Sequence, residues 1–277
     1  MERPAWAPEA IDVDRPSAAR IYDYHLGGGH NFAVDREIAE KVAALMPELP
    51  LIMRANRAFL LRAVRLLIDA GIRQFLDLGS GIPTVGNVHE IAQGSDPSAR
   101  VVYVDNDPVA VAHSQALLSG NDNAGVVHAD LRDIRSVLGA PEVSRLIDFS
   151  RPVGLLMVAV LHFVPDRDDP AGIVAGYRDA VPAGSHLVLS HGAASEDTHA
   201  PVGSSEALAA YSRSVAEMTL RTRAEVAAMF DGFELVDPGV VYVTRWRPWP
   251  APDAREPATD AREPTPLAQL VGVGRKP

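Results

Sequence analysis

From Gly71 onward, short apolar segments of the chain alternate with segments of helical periodicity. This alternation is typical of βαβ units, in which parallel strands form one sheet and helices cover its two faces. It predicts strands over 74–78, 100–105, 125–129, 153–160 and 186–190, and helices near 85–93, 108–118, 133–139, 170–181, 204–219 and 222–230. A further strand is predicted over 233–244, with an interruption at Pro238-Gly239. The chain is therefore predicted to be a doubly wound α/β protein.

The two flanks of this pattern have a different character. Residues 1–70 predict helices over 17–24, 31–46 and 51–70, an N-terminal extension packed on a domain that spans 71–277. The third helix is predicted to have a solvated face that carries Arg54, Arg57, Arg62 and Arg65. Residues 247–266 are rich in proline, alanine and charge, which predicts a flexible insertion. Residues 267–276 are apolar again and predict a last strand, antiparallel to its neighbour.

Composition argues against several classes of protein. The 277 residues include no cysteine, which excludes disulfides, thiolate metal ligands and cysteine nucleophiles. No cluster of aspartates and histidines resembles a metal site. The formal charge of −10 argues against a nucleic-acid partner. The longest apolar run, 153–160, is too short to cross a bilayer, and the first 20 residues lack a signal peptide. We therefore expect a cytoplasmic protein with no membrane partner.

A glycine turn follows the first predicted strand, in the sequence Asp77-Leu78-Gly79-Ser80-Gly81. Glycine permits a positive φ and lets a ligand approach the backbone without a Cβ in the way. The dinucleotide fingerprint needs a third glycine three residues later, but that position is Thr84. The negative charge of Asp77 would also disfavour a pyrophosphate. The turn instead suits a ligand that carries a cationic ammonium and sulfonium.

Acidic residues also follow the next two predicted strands. Asp105 ends the second strand, where a carboxylate can accept two hydrogen bonds from a ribose diol. Asp130 and Leu131 follow the third strand, where they could recognise an adenine amino group and contact its ring. These strand ends meet at one edge of a parallel sheet, so they predict a nucleoside site.

The sequence resembles the class I S-adenosylmethionine-dependent methyltransferases. More narrowly, it resembles an S-adenosyl methyltransferase family first catalogued as a domain of unknown function in actinobacteria. The likeness rests on the segments RIYDYHLGGGHNF (20–32), FLDLGSGIPTVGNVHE (75–90), VVYVDNDP (101–108), LHFVPD (161–166) and VGVGRKP (271–277). It implies a seven-stranded sheet with its last strand antiparallel, and S-adenosylmethionine as the cofactor.

The resemblance also implies roles for individual residues of the cofactor site. It assigns Asp77, Gly79 and Gly81 to the methionine part, Asp105 to the ribose, and Asp130 with Leu131 to the adenine. Ser80 and Asn106 adjoin these residues and complete the predicted cofactor site. The third glycine of the broader superfamily is replaced here by Pro83-Thr84, and the narrower family identifies no methyl acceptor.

Other residues are candidates for the acceptor side of the site. His162 follows the fourth predicted strand and could act as a general base or as a hydrogen-bond partner of the acceptor, although it could also be structural. His191 follows the fifth strand and has the same alternatives. Tyr22, Tyr24 and Asn31 flank the Gly27–Gly29 run, and they are predicted to line the pocket on a segment that closes over the cofactor.

Three functions remain open from the sequence. The first is a methyltransferase that acts on a small-molecule acceptor. The second is a non-catalytic regulatory module that binds S-adenosylmethionine or S-adenosylhomocysteine, since no residue is decisively catalytic. The third is a nicotinamide-dependent reductase on a related sheet, and both the missing third glycine and Asp77 count against it.

Overall fold

We describe the fold from a computed structural model, which describes residues 12–83, 86–194, 205–248 and 267–277. Thr84 and most of the predicted 247–266 insertion lie outside the described residues. The strands are β1 (Gln74–Leu78), β2 (Arg100–Asp105), β3 (Ala124–His128), β4 (Gly154–Val158), β5 (His186–Gly192), β6 (Glu234–Leu235), β7 (Val241–Tyr242) and β8 (Gln269–Arg275). The helices are α1 (Ala18–His25), α2 (Ala33–Leu45), α3 (Leu49–Asp69), α4 (Val88–Ser95), α5 (Pro108–Leu117), α6 (Ile134–Leu138), α7 (Pro141–Leu146), α8 (Pro170–Ala180), α9 (Ser205–Ser214) and α10 (Arg223–Ala228).

The strands form one mostly parallel sheet in the order β3-β2-β1-β4-β5-β8-β6, and β7 also pairs with β8. Strands β1 to β5 are mutually parallel, whereas β8 runs antiparallel to β5. Apolar side chains of the strands pack on helices on both faces of the sheet. The structure therefore confirms the predicted doubly wound α/β fold with an antiparallel last strand and extra N-terminal helices.

Local backbone geometry explains where the elements differ from prediction. The strand predicted to reach residue 160 ends at Val158, because Ala159 has a φ of 57°. The strand predicted over 233–244 is instead two pairs of residues, β6 and β7, separated by a turn at Gly239 with a φ of 82°. The helix predicted over 133–139 is followed by a second helix, α7. It begins at Pro141, because proline is favoured at the first position of a helix.

The predicted solvated face of α3 is wrong for two of its four arginines, Arg62 and the cavity-lining Arg57. Arg62 is buried, and its guanidinium donates hydrogen bonds to the carbonyl oxygens of Val243 (3.3 Å) and Trp246 (3.1 Å). The helix packs against the sheet on one side and Trp246 on another, where the Trp246 ring meets Phe59 edge to face. The run 58–64 is apolar apart from Arg62, a pattern typical of a helix that is buried on all sides. Among the described residues, no helix is long and apolar enough to cross a membrane.

Candidate functional site

A cavity of about 830 Å³ lies at the carboxyl ends of the parallel strands. Its lining includes residues at or directly after the carboxyl ends of β1 to β5, namely Gly79–Gly81, Asp105–Pro108, Ala129–Arg132, Ala159–Val160 and Ala193. Strand order reverses between β1 and β4, which is where a crevice opens in sheets of this kind. Further lining residues come from helices α1, α2, α3 and α9, from the 162–164 turn and from the segments 12–17 and 215–220.

The glycine turn after β1 is held against β2 and the β4 loop. The backbone N–H groups of Gly79 and Ser80 donate to the Val104 carbonyl oxygen at 2.8 and 3.1 Å. Gly79 has a φ of 76°, and a Cβ there would lie 2.3 Å from a methyl carbon of Val160. At Gly81, with a φ of 66°, a Cβ would meet no atom within 4 Å. The first glycine is thus required by packing, and the second leaves open space beside the backbone.

Asp105 is a buried carboxylate whose orientation is fixed by backbone groups. Its Oδ2 accepts the Gly81 N–H at 2.7 Å, and its Oδ1 accepts the Asp107 N–H at 2.8 Å. Burial raises its pKa to about 6, although these two N–H groups oppose the rise. A carboxylate can accept about four hydrogen bonds, so about two sites remain for a ligand. Asn106 is exposed and lines the same cavity.

Asp77 and Arg57 are two ionisable residues of the cavity lining that interact electrostatically. Asp77 is buried in β1, and burial raises the pKa of its carboxyl to about 7; Arg57 lowers that pKa and Asp105 raises it. Arg57 is half-buried on α3, with its guanidinium 5.9 Å from the centre of the Tyr22 ring. Arg57 therefore belongs to the cavity and not to the solvated face that the sequence predicted.

The residues after β3 combine an apolar wall with an ion pair. Leu131 is buried and lines the cavity, and its carbonyl oxygen accepts the Tyr177 hydroxyl at 2.8 Å. Asp130 is bound by Arg132 at 2.6 Å, and Arg132 also contacts Asp168 at 2.8 Å. Hydrogen bonds from Arg132 hold the pKa of Asp130 below its usual value, so this carboxylate is ionised and already partly engaged.

His162 lies on a single 3₁₀ turn, Leu161–Phe163, and it is buried at the cavity wall. Burial, reinforced by His191 and Arg221, holds its pKa well below the usual value, so the ring is neutral at pH 7. The Gly192 N–H points to Nδ1 at 3.4 Å, which favours the tautomer with the proton on Nε2.

Arg221 holds this turn in place, a role that no local sequence pattern indicated. Its guanidinium donates to the carbonyl oxygens of Leu161 (3.2 Å) and Val164 (3.0 Å) and to a carboxylate oxygen of Asp166 (2.6 Å). It also donates to Nε2 of His191 at 2.8 Å. These partners lie 30 to 60 residues away in the chain, so no local pattern marks them.

Three of the predicted acceptor residues do not line the cavity. His191 is fully buried, and burial is the main cause that lowers its pKa to about 4. Its Nδ1 donates to the Gly192 carbonyl oxygen at 2.8 Å, and its Nε2 accepts from Arg221. The Tyr24 hydroxyl donates to Glu40 at 2.9 Å near the surface. The Asn31 amide donates to Asp23 at 2.9 Å. Each side chain has a structural partner in place of the predicted ligand.

The glycine run before Asn31 also has a local structural role. Gly28 lies against Asp23, where a Cβ would overlap the carboxylate at 1.9 Å. The same carboxylate accepts the His30 N–H at 2.9 Å. Close packing therefore accounts for a glycine at this position.

The first half of α1 does line the cavity. Tyr22 is part of the lining; its hydroxyl donates to the Met53 carbonyl oxygen (3.2 Å) and accepts from the Asn56 amide (3.0 Å). Arg20, also in the lining, binds the buried Asp35 at 2.8 Å and lies 3.7 Å from Asp107. Asp107 in turn caps α5 through Val109 and donates its own N–H to Asp105. The N-terminal helices are thus joined to the loop that carries the Asp105 carboxylate.

Comparison with known proteins identifies the family. A sequence model described as S-adenosyl methyltransferase matches residues 4–277. The chain belongs to the S-adenosyl methyltransferase family. Members of this family use S-adenosylmethionine, so the chain is an S-adenosylmethionine-dependent methyltransferase. No curated protein sequence matches it.

Two solved structures support this assignment over nearly the whole chain. A candidate methyltransferase from Thermobifida fusca is 41% identical with a TM-score of 0.88, and the match covers 99% of each chain. A DUF574 family protein from Streptomyces avermitilis is 42% identical with a TM-score of 0.87, covering 96% of this chain and 100% of the other. Human N-acetylserotonin methyltransferase, solved in complex with S-adenosylmethionine, is 14% identical and has a TM-score of 0.51. The match covers 92% of this chain and 62% of the other, and at this identity it supports the fold alone.

The residues of the cavity fit the chemistry of this cofactor. Asp105 retains hydrogen-bonding capacity for a diol, and Gly81 leaves open space next to it. The buried Ser80 hydroxyl has no hydrogen-bond partner among the described residues. Asp77 is a buried carboxylate beside the space that a cationic amino acid group would need. Among the residues that the structure describes, no group of three acidic or histidine side chains could hold a metal ion.

Proposed function

We propose that this methyltransferase transfers a methyl group to a small-molecule acceptor that binds in the 830 Å³ cavity. The observation that carries the proposal is that one cavity contains the strand-end residues, His162 and an apolar wall from α2 and α9. Its volume is near the upper end of the range of about 300–1,000 Å³ for small-molecule sites. A formal charge of −10 further disfavours a nucleic-acid acceptor.

The nucleoside part of the cofactor is assigned to the turns after β1, β2 and β3. Asp105 accepts the ribose hydroxyls, with Asn106 at the rim, and Leu131 contacts the adenine ring. Asp130 remains the proposed partner of the adenine amino group. Both of its carboxylate oxygens accept hydrogen bonds from Arg132, at 2.6 to 3.0 Å, so the adenine amino group would share one of these oxygens with Arg132.

The amino acid part of the cofactor is assigned to Asp77 and Arg57. A methionine group carries an ammonium and a carboxylate, and this wall of the cavity offers one group of each opposite charge. Asp77 attracts the ammonium, and Gly79, Ser80 and Gly81 supply backbone and hydroxyl contacts. Arg57 attracts the carboxylate from α3.

His162 is assigned as a neutral hydrogen-bond partner of the acceptor and not as its base. When bound, S-adenosylmethionine supplies an electrophilic methyl group on a sulfonium sulfur. A general base works best when its pKa lies near the working pH, whereas the pKa of His162 is far lower. A neutral ring with its proton on Nε2 can instead orient the attacking atom, and positioning carries much of the rate in such reactions.

The N-terminal helices are assigned as the cover of the site. The predicted closing segment, 22–32, touches the cavity only through Tyr22, while 17–22 runs along it. The Arg20–Asp35–Asp107 contacts link that cover to the ribose loop. Residues 1–70 are therefore proposed to form one functional unit with the 71–277 domain.

Incubation with S-adenosylmethionine and a metabolite extract tests this function. Mass spectrometry should detect S-adenosylhomocysteine and a product heavier by one methylene unit. Binding should also raise the melting temperature, because a ligand at a hundredfold excess over Kd adds about 2.7 kcal/mol to the unfolding free energy. Binding without turnover across extracts would favour the regulatory module, and no binding would refute both.

A further inference from the structure

The cavity has an apolar wall that is distinct from its cofactor side. A cluster of apolar side chains lies between α1, α2 and α9, separate from the two clusters that pack on the sheet. The members of this cluster that line the cavity include Val42, Met46, Phe163, Ala207, Tyr211 and Met218. We call these six residues the apolar wall.

The charged side chains of the cavity lie elsewhere. In the described lining, aspartates and arginines come from residues 12–20, from Arg57, and from the ends of β1 to β3. None comes from α2, α9 or the segment 215–220. A charged acceptor against the apolar wall would lose its hydration and find no counter-charge there, which is costly.

The polar groups near the apolar wall are few and neutral. His162 is uncharged, and its ring lies 4.3 Å from the Phe163 ring, centre to centre. The Tyr211 hydroxyl has no hydrogen-bond partner among the described residues, and burial raises its pKa well above the usual value, so it stays protonated. The rings of Phe163 and Tyr211 lie nearly parallel at 22°, with centres 6.1 Å apart. Aromatic surfaces of this kind favour flat, apolar partners.

We propose that the acceptor is an uncharged, predominantly apolar small molecule with an aromatic or similarly flat ring system. The ring packs on Phe163, Tyr211 and the methionines of the apolar wall, whose flexible thioethers adapt to its outline. One neutral hydroxyl or amine of the acceptor meets His162. This inference rests on the proposed function, because it assigns the acceptor to the part of the cavity that the cofactor does not occupy.

Two matched sets of probes test the inference on the full-length protein saturated with S-adenosylhomocysteine. The sets are 2-naphthol, 2-naphthoate and 2-naphthylmethylammonium, and 4-phenylphenol with the corresponding biphenyl carboxylate and methylammonium. Calorimetry at pH 7.5 should give a Kd of about 1 mM or lower for at least one neutral probe. Its charged counterparts should bind about tenfold more weakly or worse.

The outcomes separate this inference from the proposed function. If S-adenosylhomocysteine binds but no neutral probe does, or if a charged probe binds as tightly as its neutral counterpart, the inference is wrong. If S-adenosylhomocysteine itself does not bind, the proposed function fails, and the inference fails with it.

A pair of phenylalanine variants locates the probe. Phe163→Ala should weaken binding of the neutral probe about tenfold and leave the affinity for S-adenosylhomocysteine within about threefold. Phe149→Ala is the control, because Phe149 is equally half-buried but lies outside the cavity lining. An equal loss of both ligands in Phe163→Ala would assign this wall to the cofactor and overturn the inference. If Phe163→Ala fails to fold, Met218→Gln replaces it, because Met218 is a half-buried residue of the same wall. It should also weaken binding of the neutral probe and leave the affinity for S-adenosylhomocysteine unchanged.

Discussion

The two sides of the cavity are built in different ways. The proposed cofactor side consists mainly of residues at or just after the carboxyl ends of β1 to β3, so the sheet itself brings them together, and α3 adds Arg57. The apolar wall consists of residues on α2, α9, the 161–163 turn and the segments that follow α2 and α9, none of which belongs to the sheet. In the proposed function, cofactor binding therefore depends on the sheet, whereas acceptor choice depends on helices and loops outside it. Changes on one side should therefore leave the other largely intact.

The largest expected effect comes from Arg221, which anchors the turn on the acceptor side. Arg221→Ala should lower the unfolding free energy by about 1–3 kcal/mol for each of the two buried carbonyl groups that lose their charged donor. Denaturant titration measures this loss. The exposed Arg213→Ala should stay within about 0.5 kcal/mol of the parent. In the folded fraction, S-adenosylhomocysteine affinity should be unchanged, and a large loss of it would break the separation of the two sides.

Asp105 gives the corresponding effect on the cofactor side. Asp105→Ala should weaken S-adenosylhomocysteine binding by about 1–3 kcal/mol, because the ribose contacts and the bond to the Gly81 N–H are both lost. Calorimetry measures this change, with the exposed Asp122→Ala as the control. Parent-like binding by Asp105→Ala would mean that the ribose does not contact this carboxylate.

The pH dependence of cofactor binding should follow Asp77. Its pKa is about 7 in the free protein, so the carboxyl is mostly protonated at pH 6 and mostly ionised at pH 8. A bound ammonium favours the ionised form, so binding releases a proton and strengthens as the pH rises through 7. Affinity for S-adenosylhomocysteine should be about tenfold weaker at pH 6 than at pH 8. Asp77→Asn should bind weakly with a flatter profile, and a profile as steep as the parent's would exclude Asp77 as the titrating group.

Sequence patterns predicted the fold, and they also pointed to the residues proposed for the cofactor, because both depend on local signals. Apolar segments marked β1 to β5 and β8; the glycine turn directly follows β1, and Asp105 ends β2. The N-terminal helices were also predicted to within a few residues, since their apolar periodicity is long. Such features depend only on residues that are close together in the sequence.

The acceptor side could not be predicted because its contacts join distant segments. Arg221 acts on residues 161–166, and Phe163 meets Tyr211 only once α9 has packed on α2. His191 lies near the carboxyl end of its strand just as Asp105 does, yet Arg221 and Gly192 use both of its ring nitrogens. Position after a strand therefore identified the edge of the sheet and not which side chains reach the cavity.

The smallest expected effect distinguishes two tyrosines on one helix. Tyr22→Phe should weaken S-adenosylhomocysteine binding by about 0.5–1.5 kcal/mol, because Asn56 and the Met53 carbonyl lose their partner beside Arg57. Tyr24→Phe removes only a bond to Glu40 near the surface and should change the affinity by less than about 0.5 kcal/mol. Calorimetry on both variants at one pH provides the comparison. Equal affinities would show that α1 covers the cavity without contributing to cofactor binding. Any role of α1 in binding would then concern the acceptor.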